Sequence, residues 1–221
     1  MTADSPRQAS PSRRLLPALY PIIDVDLCEL RGLDPLAFAR ACLAGGARLL
    51  QVRQKGSTGG DGALLALTRE VVRAAHAVDA HVIVNDRADI TLMAGAAGVH
   101  VGQQDLPAAV VRALLGNDAI VGVSTHTPEQ IDEAVAGPAD YLAVGPVFRT
   151  ATKETGYTPR GLELVTQAAG RGKPVVAIGG VTRENARAVL AAGAASVALI
   201  SDLLSDADPE ARVRQMVEGR W

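Results

Sequence analysis

The chain has 221 residues, of which 48% are hydrophobic and 21% are charged, so it can bury a sizeable core and is unlike a disordered or fibrous protein. Its formal net charge is −2 and its aromatic content is 3%. Without a basic excess or many aromatic rings, the composition argues against nucleic acid as a partner.

Residues 1–17 are polar and rich in proline and arginine, and they predict a flexible N-terminal tail ahead of a single domain over 18–221. No apolar run is long enough to span a bilayer, and no small-residue cleavage site follows the tail. We therefore expect a cytoplasmic protein with no membrane partner. Cys28 and Cys42 belong to no metal-binding or redox motif, so they are expected to be small buried residues, and a disulfide between them is the less favoured alternative.

Short apolar segments alternate with longer helical patterns from residue 19 onward. The predicted strands are 19–24, 48–53, 81–86, 98–102, 119–124, 140–145, 174–179 and 196–201. They are rich in Val, Ile and Leu with little polar alternation, which is typical of parallel strands buried on both faces.

Ala-rich amphipathic stretches separate and follow these strands. The predicted helical segments are 34–46, 61–79, 88–96, 106–116, 127–137, 160–170, 182–193 and 208–219. Several carry helix-start signals, such as Thr127 followed by Pro128, and Gly193 is a stop signal. Eight strand–helix units in one chain of this length predict an α/β fold of the (β/α)8 TIM barrel type. An open doubly wound sheet is the alternative, but no G-x-G-x-x-G follows the first strand.

In such a barrel the site lies at the carboxyl ends of the strands. Polar, charged or glycine residues follow nearly every predicted strand: "QVRQK", "NDRAD", "GQQD", "STH", "FRTATK", "GGV" and "IS". Their convergence on one rim predicts an active site there.

The loops after the seventh and eighth strands predict a phosphate site. Gly179 and Gly180 remove side chains where a ligand could approach, and Ser201 adds a hydroxyl. The alternative is that the two glycines only turn the chain into its next helix.

Cations and carboxylates follow the second, third, fourth and sixth strands. Arg53, Lys55 and Lys153 suit an anionic ligand, although solvated surface charges are the usual alternative. Asp86 and Asp105 follow neighbouring strands and suit Mg²⁺ beside phosphate, or else they are helix caps.

The histidines are less informative. His76 and His81 lie away from the predicted rim, and His100 is expected to be a hydrogen-bonded core residue. His126 lies at the rim, where it could transfer a proton or face solvent. No His/Cys spacing predicts a zinc site.

Taken together, "QVRQK", "VNDRAD", "GVHVGQQDL", "GVSTH", "YLAVGPVFRTATK", "IGGV" and "VALIS" resemble the thiamine-phosphate synthase (thiamine-phosphate pyrophosphorylase) family in order and spacing, over roughly residues 18–204. The resemblance implies a transferase that joins 4-amino-2-methyl-5-(diphosphooxymethyl)pyrimidine to a thiazole phosphate and releases diphosphate. Loss of CO2 would follow where the thiazole carries a carboxylate.

The resemblance also implies the residues of the site. The pyrimidine diphosphate would be held by Gln51, Val52, Arg53, Gln54, Lys55, Asn85, Ser124 and Lys153, with Arg53, Ser124 and Lys153 catalytic. Asp86 and Asp105 would bind Mg²⁺, and Thr150, Ala151, Thr152, Gly180, Ile200 and Ser201 would hold the thiazole phosphate. Two alternatives are a thiazole tautomerase of the same barrel and a non-catalytic sensor of thiazole phosphate or thiamine phosphate. Association into a homo-oligomer is left open.

Overall fold

The structure, a computed structural model, describes residues 16–56, 59–150, 156–205 and 208–221. Within them, eight parallel strands close into a barrel in chain order, and β1 pairs with β8. The strands are β1 Leu19–Asp24, β2 Leu49–Arg53, β3 His81–Asn85, β4 Gly98–Val101, β5 Ile120–Thr125, β6 Tyr141–Val144, β7 Val175–Ala177 and β8 Ser196–Leu199. The predicted (β/α)8 barrel is confirmed.

Helices surround the barrel. In the described part of the chain they are α1 Val25–Leu30, α2 Pro35–Ala44, α3 Gly60–His76, α4 Ala88–Ala94, α5 Ala108–Leu115, α6 Pro128–Ala136, α7 Gly161–Ala169, α8 Arg183–Ala191, α9 Ser201–Leu204 and α10 Pro209–Val217. Their starts follow the sequence signals: the Thr127 side chain accepts from the Gln130 amide, and Thr182 forms a capping box with Asn185. The short helices α1 and α9 were not predicted.

Two apolar clusters build the core. The larger lies between strands and helices, and the smaller contains the alternate strand residues Tyr20, Ile22, Leu49, Ile83, Ile120, Tyr141, Ala143, Val176 and Ala198. Since side chains alternate along a strand, the smaller cluster fills the barrel interior. It supports the floor of the cavity described below.

Several strands end earlier than predicted because the residues after them turn toward the barrel rim. Asp86 has a left-handed φ of 60°, Gly179 has a φ of 93°, and Ser201 begins α9. These backbone turns end the ladder where apolar composition alone predicts that it continues.

The predicted tail falls mostly on residues 1–15, outside the described residues; Leu16 already packs against the interior cluster. Cys28 and Cys42 are both free and buried, as expected. Burial raises the pKa of the Cys28 thiol to about 12, so this thiol stays protonated and unreactive. Among the described helices, none is long and apolar enough to cross a membrane.

Candidate active site

A cavity opens at the carboxyl ends of the strands and reaches into the barrel interior. Eight of the predicted site residues line it, namely Gln51, Arg53, Asn85, Ser124, Thr150, Gly180, Ile200 and Ser201. Gln54, Lys55, Asp86 and Asp105 line an adjoining pocket that shares Asn85 with the cavity. The strand-end argument therefore brings these residues to one rim of the barrel.

Val52 is the exception. It is fully buried in the cluster between strands and helices, whereas its neighbours Gln51 and Arg53 line the cavity. Alternation along β2 turns its side chain away from the barrel interior. A contact between Val52 and a ligand could come only from its backbone, and the predicted role of Val52 stays a prediction.

Buried polar groups cross the cavity floor in a continuous series. Gln51 Nε2 donates to the Tyr20 hydroxyl at 3.0 Å, which lies 3.2 Å from the Tyr141 hydroxyl. The Tyr141 hydroxyl is 3.0 Å from His100 Nδ1, and His100 Nε2 is 2.9 Å from Ser124 Oγ. We call these five residues the polar chain. His100 is thus the hydrogen-bonded core histidine that the sequence suggested, but its partners belong to the cavity.

The two tyrosines are a feature that the sequence analysis missed. Desolvation is the largest cause that raises the pKa of each phenol, so both hydroxyls remain protonated. Gly122 makes room for them, because a Cβ there would lie 2.5 Å from His100 Nδ1 and closer still to the Tyr141 hydroxyl. The only signal in the sequence was a tyrosine in each of two mainly apolar strands.

Arg53 is held by a partner that the sequence analysis did not select. Its guanidinium forms an ion pair with Asp24, whose side chain is 4% exposed against 11% for Arg53. Asp24 also caps α1 by accepting from the Leu27 amide at 3.0 Å. The last residue of β1 therefore fixes both a short helix and a cation at the cavity wall.

The adjoining pocket brings two carboxylates to one cation. Lys55 Nζ forms an ion pair with Asp86 and lies 3.8 Å from an Asp105 oxygen. Asn85 Nδ2 donates to Asp86 at 2.6 Å. Desolvation is the largest cause that raises the pKa of Asp86; hydrogen bonding to Asp105 and its charge act in the same direction, while Lys55 opposes them. Burial and Asp105 therefore outweigh Lys55 in their effect on the pKa of Asp86.

The alternative that Asp86 and Asp105 cap helices fails. The residue before α4 is Arg87, and the residue before α5 is Pro107. Asp105 instead accepts from the Gly102 amide at 2.8 Å and so shapes the loop after β4. Asp89 lies in the first turn of α4, where its hydrogen bond with Arg87 lowers its pKa, and it is not part of the carboxylate pair.

The opposite wall of the cavity is built from backbone. Gly180 has a left-handed φ of 65°, and a Cβ there would lie 2.5 Å from the Arg149 carbonyl oxygen. The Phe148 amide donates to the Gly179 carbonyl at 2.8 Å, and the Val147 amide to that of Ile178 at 3.0 Å. The glycines therefore do turn the chain, and they also let the loops after β6 and β7 pack closely beside the cavity.

The loop after β6 carries three further predicted residues. Ala151, Thr152 and Lys153 lie outside the described residues, while Thr150, just before them, lines the cavity. The described part of this loop leaves β6 on the same rim as Gly180. Because Thr152 and Lys153 lie outside the described residues, their roles stay predictions.

His126 is buried, which excludes the expectation that it faces solvent. Its Nδ1 lies 2.5 Å from the Gly145 carbonyl oxygen, and its ring stacks on Tyr157 with the ring centroids 4.3 Å apart. Its backbone amide donates to Gln130, whose Nε2 in turn donates to the Tyr157 hydroxyl. These contacts join the loops after β5 and β6. His76 ends α3 and His81 begins β3, so neither approaches the rim.

Groups of three or more His, Cys, Asp or Glu side chains able to hold a metal ion do not occur in the described part of the chain. Two carboxylates are present together, at Asp86 and Asp105. Carboxylate oxygens suit Mg²⁺, which usually takes one or two carboxylates and completes its shell with water and phosphate oxygens. The residues therefore fit a magnesium ion that is shared with a phosphorylated ligand.

Comparisons with known proteins identify the family of this chain. The family model described as thiamine monophosphate synthase matches residues 19–203. "Thiamine-phosphate synthase" of Anaeromyxobacter dehalogenans is 46% identical over 186 residues, which are 84% of this chain and 82% of that protein. The protein of the same name from Mycobacterium tuberculosis is 44% identical over 193 residues, covering 83% and 86%.

Solved structures give the same result. "Thiamine phosphate pyrophosphorylase" from Pyrococcus furiosus superposes with a TM-score of 0.80 at 29% identity, covering 92% of this chain and 96% of that chain. Tryptophan synthase of Mycobacterium tuberculosis superposes at 0.64 with 15% identity, a likeness of fold alone. The family match, together with relatives above 40% identity over most of both chains, confirms the family inferred from the strand-end motifs: this chain belongs to the thiamine monophosphate synthase family, whose members are transferases.

Proposed function

We propose that this chain forms thiamine phosphate by transferring a pyrimidinylmethyl group from 4-amino-2-methyl-5-(diphosphooxymethyl)pyrimidine to the ring nitrogen of a thiazole phosphate, with release of diphosphate. One observation carries the proposal. Two regions suited to anions, one of charged side chains and one of glycine backbone, lie along the cavity and the pocket that adjoins it at Asn85. A reaction that joins two phosphorylated substrates needs that arrangement.

The pyrimidine diphosphate occupies the side of the cavity formed by β2 to β5. Its ring lies over the polar chain, where Gln51 and Ser124 offer hydrogen bonds. Arg53 and Lys55 face the diphosphate with Asn85 beside them, and the backbone of Val52 and the side chain of Gln54 complete this wall. The family resemblance assigns Lys153 to the same diphosphate.

Asp86 and Asp105 hold Mg²⁺ in this proposal. The raised pKa of Asp86 supports it, because the charge of Asp105 contributes to that shift and a cation bound by both carboxylates would offset it. When bound, the ion supplies positive charge for the oxygens of the diphosphate.

The thiazole phosphate occupies the side formed by β6 to β8. Its phosphate meets backbone N–H groups near Gly180 and Ile200 and the hydroxyl of Ser201. The family resemblance assigns Thr150, Ala151 and Thr152 to the same phosphate. A glycine-rich loop after β7 followed by a short helix after β8 is a common phosphate site of this fold.

The bond between the pyrimidine methylene and the diphosphate breaks first. Arg53 and Lys153 stabilise the charge that develops on the departing diphosphate, and Asp24 holds Arg53 in place for that role. The electron-rich aminopyrimidine stabilises the methylene cation. The thiazole nitrogen, positioned by its own phosphate, then forms the new bond. No nucleophilic side chain is needed, and loss of CO2 follows where the thiazole is carboxylated.

The experiment is incubation of purified protein with both substrates and Mg²⁺, followed by measurement of diphosphate and thiamine phosphate. We expect equal amounts of both products, with no diphosphate release when Mg²⁺ is chelated. Asp105→Asn should raise the Mg²⁺ concentration that gives half-maximal activity. Isomerisation of a thiazole without diphosphate release would instead support the tautomerase, and binding without turnover would support the sensor.

A further inference from the structure

The polar chain contains more hydrogen-bonding groups than are needed to hold a ring in place. Tyr20, Tyr141 and His100 lie between Gln51 and Ser124 and come from three different strands of the barrel. All five residues are buried and line the cavity. The tyrosines and the histidine have no part in the proposed bond breaking, so their role must lie elsewhere.

The contacts are consistent with one direction along the chain. Gln51 Nε2 donates to Tyr20, and the Tyr20 hydrogen then has the Tyr141 oxygen as its acceptor within the chain. The Tyr141 hydroxyl then donates to His100 Nδ1, which makes Nδ1 the acceptor and leaves the proton of the neutral ring on Nε2. His100 Nε2–H donates to Ser124 Oγ.

The two ends of the chain consequently have opposite polarity. With its nitrogen engaged by Tyr20, the Gln51 amide presents its oxygen Oε1 as an acceptor. Ser124 Oγ already accepts from His100, so its own hydrogen is left to donate. Left alone, a hydroxyl could rotate and an amide could flip, and either end could then match either polarity.

We infer that the polar chain is a specificity device, in which Tyr20, Tyr141 and His100 are positioning residues that set Gln51 as acceptor and Ser124 as donor. This inference rests on the proposed function. A 4-aminopyrimidine offers the complementary pattern, since its amino group donates and its ring nitrogen accepts. A 4-oxopyrimidine reverses the pattern with a carbonyl acceptor and a ring N–H donor, so it leaves buried groups without partners.

Two features of the structure support a fixed direction. The phenols stay protonated because burial raises their pKa, so each hydroxyl passes on one hydrogen bond. The rings are also confined: Tyr20 and Tyr141 pack edge to face at 6.2 Å, and Tyr141 stacks on His100 at 5.5 Å. A side chain at residue 122 would occupy the space in which Tyr141 meets His100.

The test uses two probes that cannot lose diphosphate: 4-amino-5-hydroxymethyl-2-methylpyrimidine and its 4-oxo counterpart. Calorimetric titration of the parent should show the amino compound binding about tenfold or more tightly, as expected when a mismatch leaves polar groups unpaired. In Tyr141→Phe, which interrupts the chain, the preference should fall to within about twofold, the range expected once both ends can reorient. Tyr157→Phe removes a phenol outside the chain and should keep the parent preference.

A second measurement does not depend on the stability of any variant. Nitrogen-15 spectra of histidine-labelled parent protein should show neutral His100 with its proton on Nε2. An unchanged preference in folded Tyr141→Phe, or a His100 proton on Nδ1, would overturn the inference. If the protein makes no thiamine phosphate but still binds the amino compound more tightly than the oxo compound, that result would support this inference and contradict the proposed function alone.

Discussion

The residues around the cavity and its adjoining pocket form two rims that differ in chemistry. The β2–β5 rim, defined here by Arg53, Lys55, Asn85, Asp86 and Asp105, presents charged and amide side chains held by ion pairs and hydrogen bonds. The β6–β8 rim, defined by Thr150, Gly179, Gly180, Ile200 and Ser201, presents mainly backbone and hydroxyls. Under the proposed function the two rims bind their anions differently: one through charged side chains, and the other through backbone N–H groups and hydroxyls.

The largest expected effect comes from removing the buried cation of the β2–β5 rim. Arg53→Ala leaves Asp24 buried without its partner, so we expect the free energy of unfolding to fall by roughly 3–5 kcal/mol, together with loss of turnover. Denaturant unfolding and product formation measure the two effects.

The double variant Arg53→Ala/Asp24→Asn separates those effects. Asparagine at residue 24 can still accept from the Leu27 amide but carries no charge, so stability should largely return while turnover stays lost. If the double variant is as unstable as Arg53→Ala, then the unpaired carboxylate is not the cause of the instability.

Lys153 tests whether the loop after β6 serves the diphosphate. In Lys153→Ala the single-turnover rate at saturating substrates should fall on the order of a hundredfold, because a preorganised cation stabilises the departing charge more than the bound substrate. Lys153→Arg should recover only part of the rate, since a planar fork approaches phosphate differently. A rate within about twofold of the parent for Lys153→Ala would make this lysine a solvated surface residue.

The close approach at Gly180 defines the β6–β8 rim. Gly180→Ala should raise the KM for thiazole phosphate about tenfold or more through displacement of the loop near Arg149, with little change in the KM for the pyrimidine diphosphate. Gly161→Ala is the matched control, because Gly161 has the same φ of 65° but a Cβ added there would have no neighbour within 4 Å. Equal effects of both variants would show that backbone strain, not the close approach, is responsible.

Asp86 gives the smallest effect and the one with a pH dependence. A raised pKa means that the folded metal-free protein binds this proton more tightly than the unfolded chain does, so the contribution of Asp86 to stability falls as pH rises above its usual value of about 3.9. Without metal and at a pH above this value, Asp86→Asn should therefore melt at the same temperature as the parent or at a higher one. At a pH below this value, the variant should have no advantage in melting temperature. A variant clearly less stable than the parent at neutral pH would indicate that the Lys55 ion pair outweighs desolvation.

The sequence allowed the barrel to be predicted because nearly continuous apolar strands alternate with capped helices, and both signals are local. It also allowed the charged members of the β2–β5 rim to be predicted. A charged residue directly after a buried barrel strand lies at the carboxyl end of that strand, and these ends form one rim. The sequence did not reveal Asp24, which lies at the end of the first strand and has its partner on the next. It also did not reveal Tyr20 or Tyr141, because tyrosine within an apolar strand usually fills a core.

The glycines of the β6–β8 rim were ambiguous for another reason. Gly180 turns the chain and lies against Arg149, and both roles require the absence of a Cβ, so composition alone could not separate them. The helix-cap alternative for Asp105 likewise depended on a helix start, because α5 begins at Ala108 and not at the predicted residue 106. The position of a helix end to within one or two residues depends on tertiary contacts, which the local sequence pattern does not contain.

The central claim is that each rim binds a different substrate. The most direct test is to titrate each substrate separately, with Mg²⁺ present, into the Ser201→Ala and Asn85→Ala variants and measure its affinity. Ser201→Ala should weaken thiazole phosphate binding about tenfold or more, as expected for one hydrogen bond to a charged group, and leave the pyrimidine diphosphate unaffected. Asn85→Ala should show the reverse. If both variants weaken the same substrate, or if each weakens both substrates equally, the two rims do not bind different substrates.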